Sequence, residues 1–299
     1  MESSILRISD EVQSALAANQ PVVALESTVI AHGLPRPENL QTALRLEQIV
    51  RDNGCTPATI AILSGHLCAG LNQEQLRQIA ESDDIRKVST RDLPVAVAQG
   101  WNGATTVATS MWIAHRAGIN VFATGGIGGV HRGSLPDVSA DLPELARTPM
   151  VVICSGAKIV LDLPATREWL ETHGITVAGY ECNELPAFYS RSSGLPVDAR
   201  VDSAAEVTTL VRAQRALETQ TALLVTVPIP AAVEVEAVAL QNFLDEALGE
   251  AERSGVSGRE LTPFLLSRMA QQSGGATLRA NIALLENNAR VAAEIASLL

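Results

Sequence analysis

Two short apolar runs, residues 119–123 and 150–154, constrain this chain more than any other feature. Each is too short for a typical helix, and each stops in small residues. Thr124-Gly125-Gly126 follows the first, and Ser155-Gly156-Ala157 follows the second. Such runs, apolar at nearly every position, read as strands buried on both faces. Further runs of the same kind stand at 22–25, 58–63, 175–179 and 222–227, with amphipathic helical stretches between them. After residue 230 the pattern changes to three helices, about 234–252, 258–272 and 276–298. Strands alternating with helices predict an α/β fold, with helices covering a largely parallel sheet and an all-helical C-terminal tail. No internal repeat or linker divides residues 1–299, so one domain is expected.

In an open α/β sheet the ligand sits beyond the carboxyl ends of the strands. The two glycine-bearing strand ends flank Lys158 and a cluster of Asp137, Ser139 and Asp141, which makes residues 121–162 the candidate site. Lys158 reads as the first residue of a helix spanning 158–172. Burial there and the positive end of a helix dipole both favour a neutral amine, the form that attacks a carbonyl. The alternative is a lysine whose head reaches solvent along its aliphatic stem. Glu26 ends the 22–25 run and reads either as a turn residue or as a general acid whose pKa is raised by apolar surroundings. Lys87, inside the strand-like run 85–89, is either solvated or a point charge for a phosphate.

The remaining stretches are less pointed. Residues 5–19 read as an amphipathic helix, and 32–37 as a loop because of its two prolines. His66 follows Ser64-Gly65 at a polar strand end, as a site wall or a hydrogen-bonded structural residue. Thr105-Thr106 caps a helix through Arg116 and offers hydroxyls and N–H groups to an anion or sugar. Residues 183–201, rich in Pro, Ser and Arg, read as a lid or an intersubunit loop.

Composition removes several function classes. The formal net charge is −11, which argues against nucleic acid or an anionic membrane surface as a partner. No apolar run approaches the ~20 residues of a membrane span, and no secretory signal opens the chain. A cytoplasmic location is therefore expected. The four cysteines lack metal-ligand spacing and read as reduced core thiols. GGIGG fails the dinucleotide pattern because His131 stands where a third glycine belongs, and no GK[ST] follows for a P-loop. There is no HExxH pair and no GxSxG elbow.

Several ordered motifs, ALESTVIAHGLP, KVSTRDLP, NGATTVATSM, FATGGIGGVHRG, DVSADL, ELART, CSGAK and ANIALLENNARVAAEIA, resemble the pseudouridine-5'-phosphate glycosidase family, also called indigoidine synthase A-like. The resemblance runs from about residue 5 to the C-terminus. It implies an α/β/α domain, a homotrimer, and Mn²⁺-dependent reversible cleavage of the C–C glycosidic bond of pseudouridine 5'-phosphate. The products would be uracil and ribose 5-phosphate, and the enzyme class that of glycosidases and carbon–oxygen lyases. By the same resemblance Lys158 of CSGAK is the Schiff-base nucleophile and Glu26 of ALEST the proton donor. Lys87 and Val107 contact substrate, as do Ser139, Ala140 and Asp141, and Asp137 is the metal ligand. Thr124, His131 and Asn281 are expected to line the site. Only Ser134-Leu135-Pro136 separates HRG from Asp137, a short spacing that makes Asp141 the substitute ligand. A Schiff-base aldolase acting on another sugar phosphate would use the same lysine.

Overall fold

The computed structural model describes residues 5–132, 137–256, 258 and 261–299. Its centre is a run of parallel strands whose residues are almost entirely buried. In chain order the strands of the first half are β1 (Leu6–Ile8), β2 (Val22–Leu25), β3 (Thr56–Leu63), β4 (His66–Ala69), β5 (Arg86–Val88), β6 (Gly103–Thr105), β7 (Val121–Ala123) and β8 (Val130–His131). Those of the second half are β9 (Val151–Cys154), β10 (Leu161–Asp162), β11 (Thr176–Tyr180), β12 (Ala199–Val201) and β13 (Leu223–Thr226). The helices are α1 (Asp10–Ala17), α2 (Glu38–Asp52), α3 (Gln73–Glu81), α4 (Leu93–Ala98), α5 (Val107–Arg116), α6 (Asp141–Leu145), α7 (Leu163–Thr172), α8 (Ala204–Ala216), α9 (Ala237–Arg253), α10 (Leu261–Gln272) and α11 (Ala276–Ala296).

The main sheet has the order β1-β4-β3-β2-β7-β9-β13-β11-β12, and β6 and β5 attach beside β3. From β3 to β12 every neighbouring pair on this path is parallel. Every residue of β2, β7, β9 and β13 is buried, so both faces of the sheet are covered, as parallel sheets require. The expected α/β class and helical C-terminal region are both present. That region is more than a tail, however. α11 buries Ala280, Leu284, Leu285, Ala292 and Ile295 at helical spacing and packs across β2, β7 and β9.

The periphery departs from the sequence reading. Leu6–Ile8 is a strand rather than the first turn of a helix, because it pairs with β4. His66 does not end a strand but begins one. Ser64 and Gly65 both adopt positive φ, 49° and 76°, and reverse the chain into the antiparallel β3–β4 hairpin. His66 Nδ1 lies 3.0 Å from the Ser64 carbonyl and Nε2 lies 2.8 Å from Arg7, so it is the structural residue of its two readings. Residues 183–201 begin as a packed strap, with Leu185, Ala187, Phe188 and Tyr189 buried, and continue over 191–200 in half-buried and exposed residues. All four cysteines are free. Among the described residues no helix is long and apolar enough to cross a membrane.

Candidate active site

Because β2, β7 and β9 are adjacent and parallel, the residues that follow them meet along one edge of the sheet. Glu26 follows β2, Thr124 follows β7, and Ser155 follows β9. A pocket of about 420 Å³ opens over this edge. Glu26, Lys87, Val107, His131, Asp137, Ser139, Ala140, Asp141, Lys158 and Asn281 all line it. Thr124 does not. It stands behind Glu26 and donates its hydroxyl hydrogen to the carboxylate.

Glu26 is 6% exposed. Burial pushes its pKa above the ordinary glutamate value, against the opposing pull of Lys158, the Thr124 hydroxyl and Lys87; Asp141 adds a smaller push upward. A carboxyl held in this way keeps its proton to higher pH than an exposed glutamate does.

Lys158 is half-buried, and the structure corrects its local setting. It does not begin a helix. Its N–H donates to the Ile127 carbonyl at 3.1 Å, and its own carbonyl accepts from Leu161 at 3.0 Å. α7 starts only at Leu163, with Asp162 as the capping residue accepting from Ala165 N–H at 3.0 Å. The helix-dipole argument for Lys158 therefore does not apply; position at a strand end opposite Glu26 is what marks it. The turn before it needs glycine, since Gly156 has φ +81° and a Cβ there would stand 2.0 Å from the Pro186 carbonyl oxygen.

Asp141 is buried and committed. Its Oδ1 accepts the Ala108 N–H at 2.9 Å and its Oδ2 the Gly128 N–H at 2.7 Å. It thus ties the GGIGG loop to the start of α5 and holds Val107 at the pocket wall. Gly128 is obligatory beneath it, because a Cβ would meet Ser139 Oγ at 2.2 Å and Asp141 Oδ2 at 2.8 Å. Two N–H groups of the segment 139–141 have partners within the protein: that of Ser139 donates to the Gly129 carbonyl at 2.9 Å, and that of Asp141 to Ser139 Oγ at 3.3 Å. Thr105, expected at the helix cap, instead lies in β6, its hydroxyl buried and donating to the Ile60 carbonyl at 2.8 Å. Thr106 is the capping residue of α5.

Asp137 is exposed at the pocket rim, its carbonyl accepting from His131 N–H at 2.8 Å. The short 134–136 segment before it lies outside the described residues. Among the described residues no group of three or more His, Cys, Asp or Glu is arranged to hold a metal. The donor set fits a hard divalent ion that keeps most of its waters and takes one carboxylate together with substrate oxygens. Asp137 suits that role. Asp141, the substitute, is held by one backbone N–H on each oxygen and is less free than Asp137 to turn toward an ion.

Several lining residues escaped the sequence reading. Thr28, Val29, His32 and Gly33 come from the turn after Glu26, and Thr262, Pro263 and Leu266 from α10. The first group lies within the ALESTVIAHG motif, so proximity to Glu26 was an available signal. The α10 residues carried none, since their pattern is that of any amphipathic helix. Phe188 of the strap also reaches the pocket, with φ +63° and its N–H donating to the Ser155 carbonyl at 3.0 Å.

Residues 11–298 match the family described as "Indigoidine synthase A like protein". A protein of Caldanaerobacter subterraneus subsp. tengcongensis named pseudouridine-5'-phosphate glycosidase is 50% identical, over 97% of this chain and 95% of its own. A protein of the same name from Escherichia coli K12 is 50% identical, over 98% and 95%. A crystal structure of an indigoidine synthase A-like protein from Thermotoga maritima superposes with a TM-score of 0.90 at 39% identity, covering 98% of this chain and 96% of that one. A prealnumycin C-glycosynthase in complex with ribulose 5-phosphate matches with the same TM-score and identity, covering 99% and 97%.

Proposed function

Since this chain belongs to the indigoidine synthase A-like family, we propose that it reversibly cleaves the C–C glycosidic bond of pseudouridine 5'-phosphate, giving uracil and ribose 5-phosphate through a Schiff base on Lys158. The observation that carries the reading is the pairing of an amine with a buried carboxyl on two strand ends separated only by β7. A carbon leaving group gives the usual two-carboxylate route little to act on, because it cannot simply be protonated on oxygen. An amine does better. Lys158 Nζ bonds to C1' as the C1'–O4' bond breaks, and Glu26 delivers its proton to the departing ring oxygen. The ammonium so formed gives up a proton, and the freed nitrogen lone pair then forms the C=N bond as the bond to uracil C5 breaks and C5 takes up that proton. Water adds to the iminium carbon and releases ribose 5-phosphate and the free lysine.

Lys87 supplies a point charge for the phosphate from the half-buried strand β5. Mn²⁺ held by Asp137 and water would add positive charge at the polar rim. Asp141 acts through the frame, and Ser139 and Asn281 offer polar groups for the ribose hydroxyls. A homotrimer is part of the same proposal.

Borohydride reduction in the presence of ribose 5-phosphate, followed by peptide mapping, tests the chemistry. The expected adduct is on Lys158, and Lys158→Ala loses both the adduct and turnover. An adduct on Lys87, or undiminished trapping in Lys158→Ala, overturns the assignment. Consumption of ribose 5-phosphate that does not depend on uracil points instead to an aldolase using the same lysine.

A further inference from the structure

One buried amide beneath the pocket has no part in the reaction just described. Asn288 lies on α11 and is 0% exposed. Its Nδ2 donates to the Thr124 carbonyl at 2.8 Å and approaches the Gly125 carbonyl at 3.4 Å. On its other side it meets Ser155, whose Oγ lies 3.1 Å from Nδ2 and 3.3 Å from Oδ1. One side chain therefore reaches both turns, the one after β7 and the one after β9.

Packing alone does not call for an amide here. The buried face of α11 is otherwise mostly Ala, Leu, Val and Ile, and an apolar residue would seat the helix without the cost of burying a polar group. The amide is satisfied only because these two turns stand where they do. Each turn leads to a reacting group. Thr124 donates its hydroxyl to Glu26, while Ser155 stands three residues before Lys158. The two turns are already laced by Thr124 N–H to the Ile153 carbonyl and Ser155 N–H to the Gly125 carbonyl, both at 2.9 Å. Asn288 closes that lacing from the helix side.

We propose that Asn288 is a positioning residue, which fixes the Thr124 hydroxyl on the Glu26 carboxyl and holds the Lys158 turn at a set distance from it. Its consequence for turnover rests on the reaction proposed above. Its consequence for Glu26 does not.

Two measurements on the full-length protein separate these. The first is a kinetic cycle of Asn288→Ala, Thr124→Val and the double variant. Asn288→Ala is expected to lower kcat by on the order of 10²-fold, the cost of a misplacement near 1 Å, with KM within about threefold. The double variant should lose little beyond Thr124→Val alone, whereas Asn288→Ala combined with Lys87→Ala should show the product of the single losses. Independent losses in the Asn288/Thr124 pair, or an effect confined to KM, overturn the proposal.

The second measurement needs no turnover. The infrared carbonyl band of protonated Glu26, identified by its loss in Glu26→Gln, is followed against pH. The Thr124 hydroxyl favours the charged carboxylate, so its removal should carry the band to higher pH. Asn288→Ala should move it in the same direction, with Lys158, Lys87 and Asp141, the charged groups that face Glu26, unchanged. An unmoved band in Asn288→Ala overturns the proposal. Should the alanine variant fail to fold, Asn288→Leu keeps about the same volume without the amide donors or any added charge, and the same readout applies. A wild-type protein inactive on pseudouridine 5'-phosphate defeats the proposed function while the infrared result still decides the role of Asn288.

Discussion

Glu26 and Asp141 are two buried carboxylates lining one pocket, and the donors around them differ. Asp141 receives a backbone N–H on each oxygen, one from the GGIGG loop and one from the first turn of α5. Glu26 receives a side-chain hydroxyl from Thr124. Backbone donors cannot swing away or exchange protons during a reaction, so they turn a carboxylate into a fastening. A hydroxyl can rotate and follow a carboxyl through a change of charge. The residue types are nearly the same, and the neighbours decide which one is fastened in the frame and which one is left able to move a proton in the proposed reaction.

That contrast can be broken by substitution. Glu26→Gln keeps shape and hydrogen bonds but cannot give up a proton, so kcat should fall by roughly 10²–10⁴-fold with the fold intact. Steady-state kinetics beside a thermal melt checks both halves. Asp141→Asn should act the other way. Its amide must turn an NH₂ toward one of two backbone N–H groups, leaving that donor unsatisfied at a cost of about 1–3 kcal/mol. Its melting temperature should therefore drop while Glu26→Gln shows no such drop. Equal melting losses in the two variants would erase the distinction.

A smaller effect sharpens it. Glu26 titrates near 4.5 when unperturbed and higher in the folded protein. Below that value both states are protonated and the group is neutral in both. As pH rises, the unfolded chain ionises first, and wild type loses stability until the folded carboxyl ionises too. The melting temperature of Glu26→Gln relative to wild type should therefore climb with pH from about 4.5 and level off above the folded pKa. A flat difference across that window contradicts a raised pKa.

How much of this was legible depended on the range of the interactions. β2, β7, β9 and β13 show themselves as continuous apolar runs, because a strand buried on both faces needs nothing else. β1 and β6 exist by virtue of partners distant in sequence, which no local pattern records, and β4 through its hairpin with β3. The Ser64-Gly65 pair is a local turn signal whose sense as a hairpin the pairing of β3 with β4 supplies. The start of α7 has a local signal too. Asp162, followed by Leu163 and Pro164, is a normal capping sequence, and it sets the helix five residues after Lys158. Glu26 and Lys158 were readable as polar residues where buried runs stop. The bond from Asn288 to Thr124 spans 164 positions and leaves no trace in either neighbourhood.

α11 also sets the timing of assembly. It covers β2, β7 and β9 and brings both Asn281 and Asn288 to the strand ends. On a ribosome these strands emerge long before the helix that seals them. Until residues 276–296 leave the exit tunnel, the face they cover stays open to water, and the turns bearing Glu26 and Lys158 lack their clasp. A nascent chain thus carries Glu26 and Lys158 without that clasp until residues 276–296 have emerged.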